Sequence, residues 1–337
     1  MLLLILACTG AEPELEPHFD DPSTEGSFTP VTRELEVGEL KLQTWHPTQG
    51  GQDSSLHEYD GVLTGRAVSS GEPWCPEPLP VVVFSHGNSG IRWQSLFLTE
   101  TLAAHGYLVV APDHVNNTLY DLDDELRPQV AVERPQAVKE AFDALAADET
   151  LGHCVDPAAG YAIIGHSFGG YTTLAISGAV VDNEGLAAAC DEDWAFLCGL
   201  EDLIDPGSTE LADPRAWAAV PLTPVGSITF GSSGLAHVEI PTLLVGAELD
   251  EATTMEEQIL PIHEGLVDDE LATFLGAGHF SFSEMCRLTD TVDGCGEGYT
   301  PVEQVQTETN LVVLSFLGRE RGFEVEWPPA AQDVDWD

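Results

Sequence analysis

The pentapeptide "GHSFG" at 165–169 is the place in this sequence where residue type and spacing most directly suggest chemistry. It matches G-x-S-x-G and stands between an apolar run, "YAII", and a helix-forming run, "YTTLAISGA". A serine on such a strand-to-helix corner sits in a strained backbone conformation, with its hydroxyl lifted out at the C-terminal edge of a sheet. Gly165 and Gly169 leave open the space that a Cβ would fill against the neighbouring strand and helix. A serine hydroxyl attacks only when a base removes its proton. On this kind of elbow the partners follow along the chain as Ser, then Asp or Glu, then His. "PTLLVGAELD" ends a predicted strand at Asp250, and "FLGAGHFSF" offers His279 in a glycine-flanked loop. Asp250 would fix the imidazole tautomer whose other nitrogen faces Ser167, and would stabilise the imidazolium formed during attack. Glu248 lies two residues away and should point to the opposite strand face. His263 falls in a predicted helix, and His57, His105, His114, His153 and His237 read as surface or packing residues.

A tetrahedral intermediate needs donors for its oxyanion. The Phe168 amide, directly after the serine, should be one, and the Asn88 amide in "SHGNSG" (85–90) the other. Trp93, Phe280 and Phe282, with Phe168, are expected to line an aromatic cleft for uncharged groups. Neither H-E-x-x-H nor C-x-x-C occurs, and "DLDDEL" (121–126) lacks the glycine and ligand spacing of a calcium loop. No metal or cofactor is expected.

Alternating elements must position these residues. "RELEV" and "LKLQTW" read as an antiparallel hairpin. "PVVVFSHG" (80–87), "YLVVAPD" (107–113), "YAIIGHS", "WAAVPLTP" (217–224), "PTLLVGAELD" (241–250) and "LATFLGAGH" (271–279) read as buried strands. Helices are expected at 93–106, at 134–147 with a proline in the first turn, after the serine, near 254–266 and near 301–318. The pattern predicts an α/β fold with a mostly parallel central sheet flanked by helices. Residues 181–213 break the rhythm and are expected to cap one end of the sheet. The expected organisation is a signal and acidic tether over 1–30, the catalytic domain over 31–323 and an acidic tail over 324–337.

Of seven cysteines, Cys8 follows the apolar run "LLLILA", and "ILAC" resembles the lipobox of a bacterial lipoprotein signal. The remaining six are even in number, and their spacing predicts disulfides Cys190–Cys198 and Cys286–Cys295, leaving Cys75 with Cys154. The chain is thus expected to be exported to the cell envelope or beyond, touching a membrane only through a lipid at Cys8. The 337 residues carry 11 Lys and Arg against 58 Asp and Glu, a net charge of −47. Such a surface repels nucleic acid and anionic headgroups. Its expected partner is a small-molecule ester, and the sequence assigns no oligomeric state.

From about Glu34 to Leu317 the chain resembles bacterial serine hydrolases of the platelet-activating-factor acetylhydrolase and predicted dienelactone hydrolase group. The resemblance rests on "PLPVVVFSHGNSGIRWQSLFLTETLAAHGYLVVAPDHVNNT" and "GHSFGGYTTL". "PTLLVGAELDEATTM" and "LGAGHFSF" are similar to pieces of bacterial cutinases and polyethylene terephthalate hydrolases. The resemblance implies an α/β-hydrolase fold, a triad of Ser167, Asp250 and His279, and an oxyanion hole at Asn88 and Phe168. True dienelactone hydrolases use a cysteine where this elbow has Ser167. Polyester hydrolases usually carry an aromatic residue at the place of Asn88 and a methionine at that of Phe168. With the longer 181–213 insertion, these departures favour small neutral short-acyl esters over polyesters or phospholipid acetyl esters. A non-catalytic binding protein of this fold would normally have lost a triad member, and none is missing here.

Overall fold

The computed structural model describes residues 19–50, 55–191 and 195–337. Cys8 and the proposed signal lie outside the described residues. In chain order, β1 (Thr29–Val37) and β2 (Leu40–Thr48) form the expected antiparallel hairpin, turning at Gly38, whose φ of +62° suits a residue without Cβ. A second hairpin follows, β3 (Leu56–Tyr59) and β4 (Leu63–Val68). Then come β5 (Val81–Ser85), α1 (Leu96–Ala104), β6 (Leu108–Pro112), α2 (Arg127–Ala147), β7 (Tyr161–His166), α3 (Phe168–Ile176) and α4 (Asn183–Asp191). The chain continues through β8 (Ala216–Leu222), α5 (Ser227–Leu235), β9 (Thr242–Ala247), a π-helical turn leading into α6 (Leu260–Gly265), β10 (Asp269–Phe274), α7 (Val302–Glu320) and β11 (Val334–Trp336).

These strands form one sheet in the order β11-β10-β9-β8-β7-β5-β6-β2-β1-β4-β3. From β6 to β10 it is parallel, and its strands are the continuous apolar runs of the sequence because both faces are covered. On one face α1 and α7 pack Leu98, Leu102, Val312 and Phe316 against Val82, Phe84, Val109 and Ile164. On the other, α2 brings Val138, Phe142 and Leu145 onto Val83, Val110 and Ile163, and α3, α5 and α6 close the rest. The architecture is the expected one: a mostly parallel sheet between helical layers.

Several expectations need correction. Helix α2 starts at Arg127 with Pro128 in its first turn, so Pro135 is interior. Proline has no N–H to give the carbonyl of Ala131, four residues back. The Tyr171 hydroxyl donates to that carbonyl at 3.3 Å, which lets the helix run through. Residues 334–336 of the expected tail form β11, which pairs antiparallel with β10 through Ala272–Trp336 and Phe274–Val334. Residues 19–30 pack on the body instead of hanging free: Phe19 stacks on Phe323, and the Phe28 amide donates to Ala104. The short hairpin β3–β4 and helix α5 had no counterpart in the sequence reading.

Disulfides join Cys75 to Cys154, Cys190 to Cys198 and Cys286 to Cys295, the three expected pairs. Three such bonds mark a protein of an oxidising compartment, as export predicts. Among the described residues no helix is long and apolar enough to cross a membrane.

Candidate active site

The parallel strands end together, and Ser167, Asp250 and His279 follow their C-terminal ends, the usual place for a site in open α/β sheets. Ser167 follows β7 directly, with φ +58° and ψ −116°, a region that L-residues avoid. Its amide donates to Leu222 at the end of β8 at 2.9 Å, which pins the corner to the neighbouring strand. Added Cβ atoms explain the two glycines. One on Gly165 would overlap the Gly169 carbonyl, and one on Gly169 would overlap the Ser85 carbonyl. The hydroxyl therefore stands above the N-terminus of α3, where first-turn amides have no helical acceptor.

Asp250 follows β9 and His279 follows β10; both are buried. His279 Nδ1 donates to Asp250 Oδ2 at 2.8 Å, so its Nε2 carries the lone pair in the neutral ring. Asp250 Oδ1 accepts from the amides of Ala252 and Thr253 at 2.8 and 2.7 Å, and the Thr253 hydroxyl lies 2.8 Å from Oδ2. Burial alone would raise this carboxyl, but the donors from His279 and Thr253 outweigh it and hold the pKa below 3.8. Asp250 is thus anionic near neutral pH. Glu248, as expected, faces away and is exposed, accepting from the Gly276 amide. His263, on α6, pairs with Asp269.

No hydrogen bond within 3.5 Å joins Ser167 to His279 among the described residues. Such contacts are commonly looser before substrate binds. The two loops are nonetheless tied together. His166, the residue before the serine, donates from Nε2 to the backbone carbonyl of His279 at 2.9 Å. Its Nδ1 accepts from Gln94 Nε2 at 3.0 Å, and Gln94 Oε1 accepts from the Gly87 amide at 2.9 Å. Burial first, then the neighbouring His279, pushes His166 down to about 3, so it stays neutral. Asp293 adds a second clamp: its Oδ2 accepts from the His279 amide at 3.1 Å and from the Glu251 amide at 2.9 Å. Asp293 lies within the Cys286–Cys295 loop, which is how a disulfide far from the elbow bears on the site. Sequence reading missed Gln94 and Asp293, since neither belongs to a motif; only the short spacing of "DGCG" hinted at a tight loop there.

The Gly87–Asn88 turn lies against the elbow. A Cβ on Gly87 would come within 3.4 Å of the Ser167 Cβ. Among the described residues the Asn88 and Phe168 amides have no intramolecular acceptor, which leaves both for a ligand oxygen. The Asn88 side chain accepts from Asn117 at 2.8 Å. Ser167 and Asn88 open into a cleft of about 280 Å³ with Phe196, Val225, Ile228, Thr253 and Glu257 on its walls.

The expected aromatic lining is largely corrected. Trp93 is buried in the core, its indole N–H donating to Asp60 at 3.0 Å. Phe282 is buried edge-on against Phe274, and the Phe168 ring points inward between Tyr171 and Phe196. Phe280 alone of the expected set is partly exposed at the site, edge-on to His279 at 5.2 Å. The cleft aromatic is Phe196, from the 181–213 insertion. His105 and His114 prove to be packing residues, both buried.

Fold and elbow define the class: the chain has the α/β-hydrolase fold. Residues 61–150, 90 of the 337, match the family model of platelet-activating factor acetylhydrolase, isoform II, a stretch that ends before Ser167. In all, 669 solved chains match, so structural likeness speaks to fold more than to substrate. One is a ferulic acid esterase from Streptomyces cinnamoneus, 20% identical, with a TM-score of 0.64 over 94% of this chain and 97% of that one. No curated protein matches the sequence.

Proposed function

We propose that the protein hydrolyses small, neutral carboxylic esters with short acyl groups. Ser167 attacks the ester carbonyl while His279 takes its proton. The oxyanion forms against the Asn88 and Phe168 amides, and collapse expels the alcohol, to which His279 returns the proton. Water, activated by the same imidazole, then frees the acid from the acyl-enzyme. The observation that carries this reading is the strained Ser167 at φ +58° opening on the cleft, with the Asp250–His279 pair at 2.8 Å behind Thr253 of its wall.

The cleft supports this substrate class. About 280 Å³ is at or below the low end for small-molecule sites, and Phe196, Val225 and Ile228 suit an apolar group. Glu257 on the wall and the net charge of −47 oppose anionic substrates. An export signal processed and lipidated at Cys8 is part of the proposal; intact mass of the native protein checks it, and retention of Met1 would remove it.

A fluorophosphonate probe should label Ser167, and Ser167→Ala should lower kcat about 10⁴- to 10⁶-fold. Across p-nitrophenyl esters, kcat/KM should peak at short acyl chains. A peak at about ten carbons or more, or rapid release of soluble product from polyester film, would overturn the substrate class.

A further inference from the structure

Arg134, on α2, is fully buried at 0% exposure. Its Nη1 donates to the carbonyl of His86 at 2.8 Å, and its Nη2 to the carbonyls of His86 and Gly87, the latter at 3.1 Å. The guanidinium lies 4.3 Å over the Phe168 ring. Among the described residues no carboxylate comes within 4.0 Å of it. A buried cation without a counter-charge is costly, so an arginine in this place needs a reason.

The reason is in the peptide it grips. Gly87 C=O and Asn88 N–H belong to one planar trans unit and point in opposite directions. Holding the carbonyl inward, where His86 Nδ1 also donates to it at 2.8 Å, turns the Asn88 N–H outward to the cleft. A charged donor on the carbonyl also polarises the amide and strengthens it as a donor. The same guanidinium packs on Phe168, whose amide is the second candidate oxyanion donor. We propose that Arg134 is the positioning residue of the oxyanion site: it fixes the Gly87–Asn88 peptide and places a buried positive charge behind the developing oxyanion. This rests on the ester-hydrolase reading of that site.

The titratable groups packed around Arg134 are His86, His114 and Tyr171. Burial first, and Arg134 second, pushes both histidines well below the usual imidazole range, and burial raises the Tyr171 phenol, so none supplies an opposing charge near neutral pH. Burial also pulls Arg134 itself below its ordinary value, while a guanidinium is not deprotonated in proteins. In a water-excluded site its field on an oxyanion is weakly screened.

The test uses a short alkyl trifluoromethyl ketone, ¹³C-labelled at the carbonyl, which forms a hemiketal with the nucleophile. Carbon NMR against pH reads where the hemiketal ionises. In Arg134→Gln, kcat on p-nitrophenyl acetate should fall about 10- to 100-fold with KM within about threefold, and the hemiketal should ionise about one pH unit or more higher. Arg134→Lys, which keeps the charge but cannot grip both carbonyls, should fall between. Folded variants with wild-type kcat and unshifted ionisation would overturn the role of Arg134 alone. A wild-type enzyme that forms no hemiketal would overturn the site reading and this inference with it. Should both variants fail to fold, a crystal structure of the wild-type adduct decides. An Asn88 amide on the oxyanion with Gly87 C=O on Arg134 sustains the proposal, and an amide turned away ends it.

Discussion

His166 Nε2 donates to the backbone carbonyl of His279 at 2.9 Å, so the residue before Ser167 holds the loop that carries His279. The donor must be an N–H, because a carbonyl only accepts. The bond survives acid, since His166 is pushed down to about 3. His166→Phe keeps a buried ring but loses the donor and the Gln94 partner. It should lower kcat about tenfold with little change in KM. Phosphonylation of Ser167 should slow in parallel, which a folding defect alone would not produce at equal active-site titre. Unchanged labelling and turnover would show that the bond has no part in placing His279.

Acid stability should be governed by buried neutral histidines. Burial pushes His46 down to about 4 and, with His279, His166 to about 3. Below an ordinary pKa of 6.5 these residues bind a proton when unfolded and not when folded, so unfolding takes up protons and stability falls as pH drops. The loss should begin near pH 6.5 and continue to about 4, at about 1.4 kcal/mol per pH unit per histidine. Asp250, depressed in the folded state, adds a loss only below 3.8. Urea unfolding at pH 7, 6 and 5 measures the slope, and His46→Asn should reduce it by one proton. A pH-independent midpoint would contradict the burial of these rings.

The acidic surface makes stability depend on salt. Most cations are already paired: Arg92 meets Asp113 at 2.8 Å and Asp60 and Glu34 at 3.4 Å, and Arg215 meets Asp213 at 2.7 Å. Net charge remains −47, and at low ionic strength the repulsion is long-ranged, with a Debye length of about 30 Å at 0.01 M. The Tm should rise from 0.01 M to about 1 M sodium chloride. A flat or falling Tm would leave the acidity unconnected to stability.

Cys75–Cys154 spans 79 positions of sequence. A closure of that length removes denatured-state entropy worth about 4–5 kcal/mol in the chain-entropy account. Replacing both cysteines by serine should therefore cost more than the same change at Cys190–Cys198, which spans 8. Comparison of the two double variants in urea at neutral pH decides it. Equal losses would mean that local packing, not loop length, sets the contribution.

How much of this was legible follows from what each residue's neighbours in sequence could reveal. The elbow could be read because Gly165, Ser167 and Gly169 act within one turn, and β5 to β9 because strands buried on both faces must be apolar throughout. That Asp250 and His279 would pair, as they do at 2.8 Å, could be expected from chain order. Trp93 and Phe282 misled because aromatic character is shared by cleft and core, and only packing separates them. Pro135 misled for a related reason: a proline normally marks a helix start, and the Tyr171 hydroxyl that tolerates it lies 36 positions on. Arg134 carried no signal, since its partners are backbone carbonyls.

The short strand β11 has a meaning of its own. Without it β10 would be the rim of the sheet, presenting a row of free amides and carbonyls to any passing chain. Instead the rim is three residues long and bears Asp335 in its middle, between Asp333 and Asp337. Negative charge and brevity both oppose pairing with a second molecule. Strand β11 with its flanking aspartates acts as a terminator of the sheet, a guard against edge-to-edge accretion that the candidate site itself does not need.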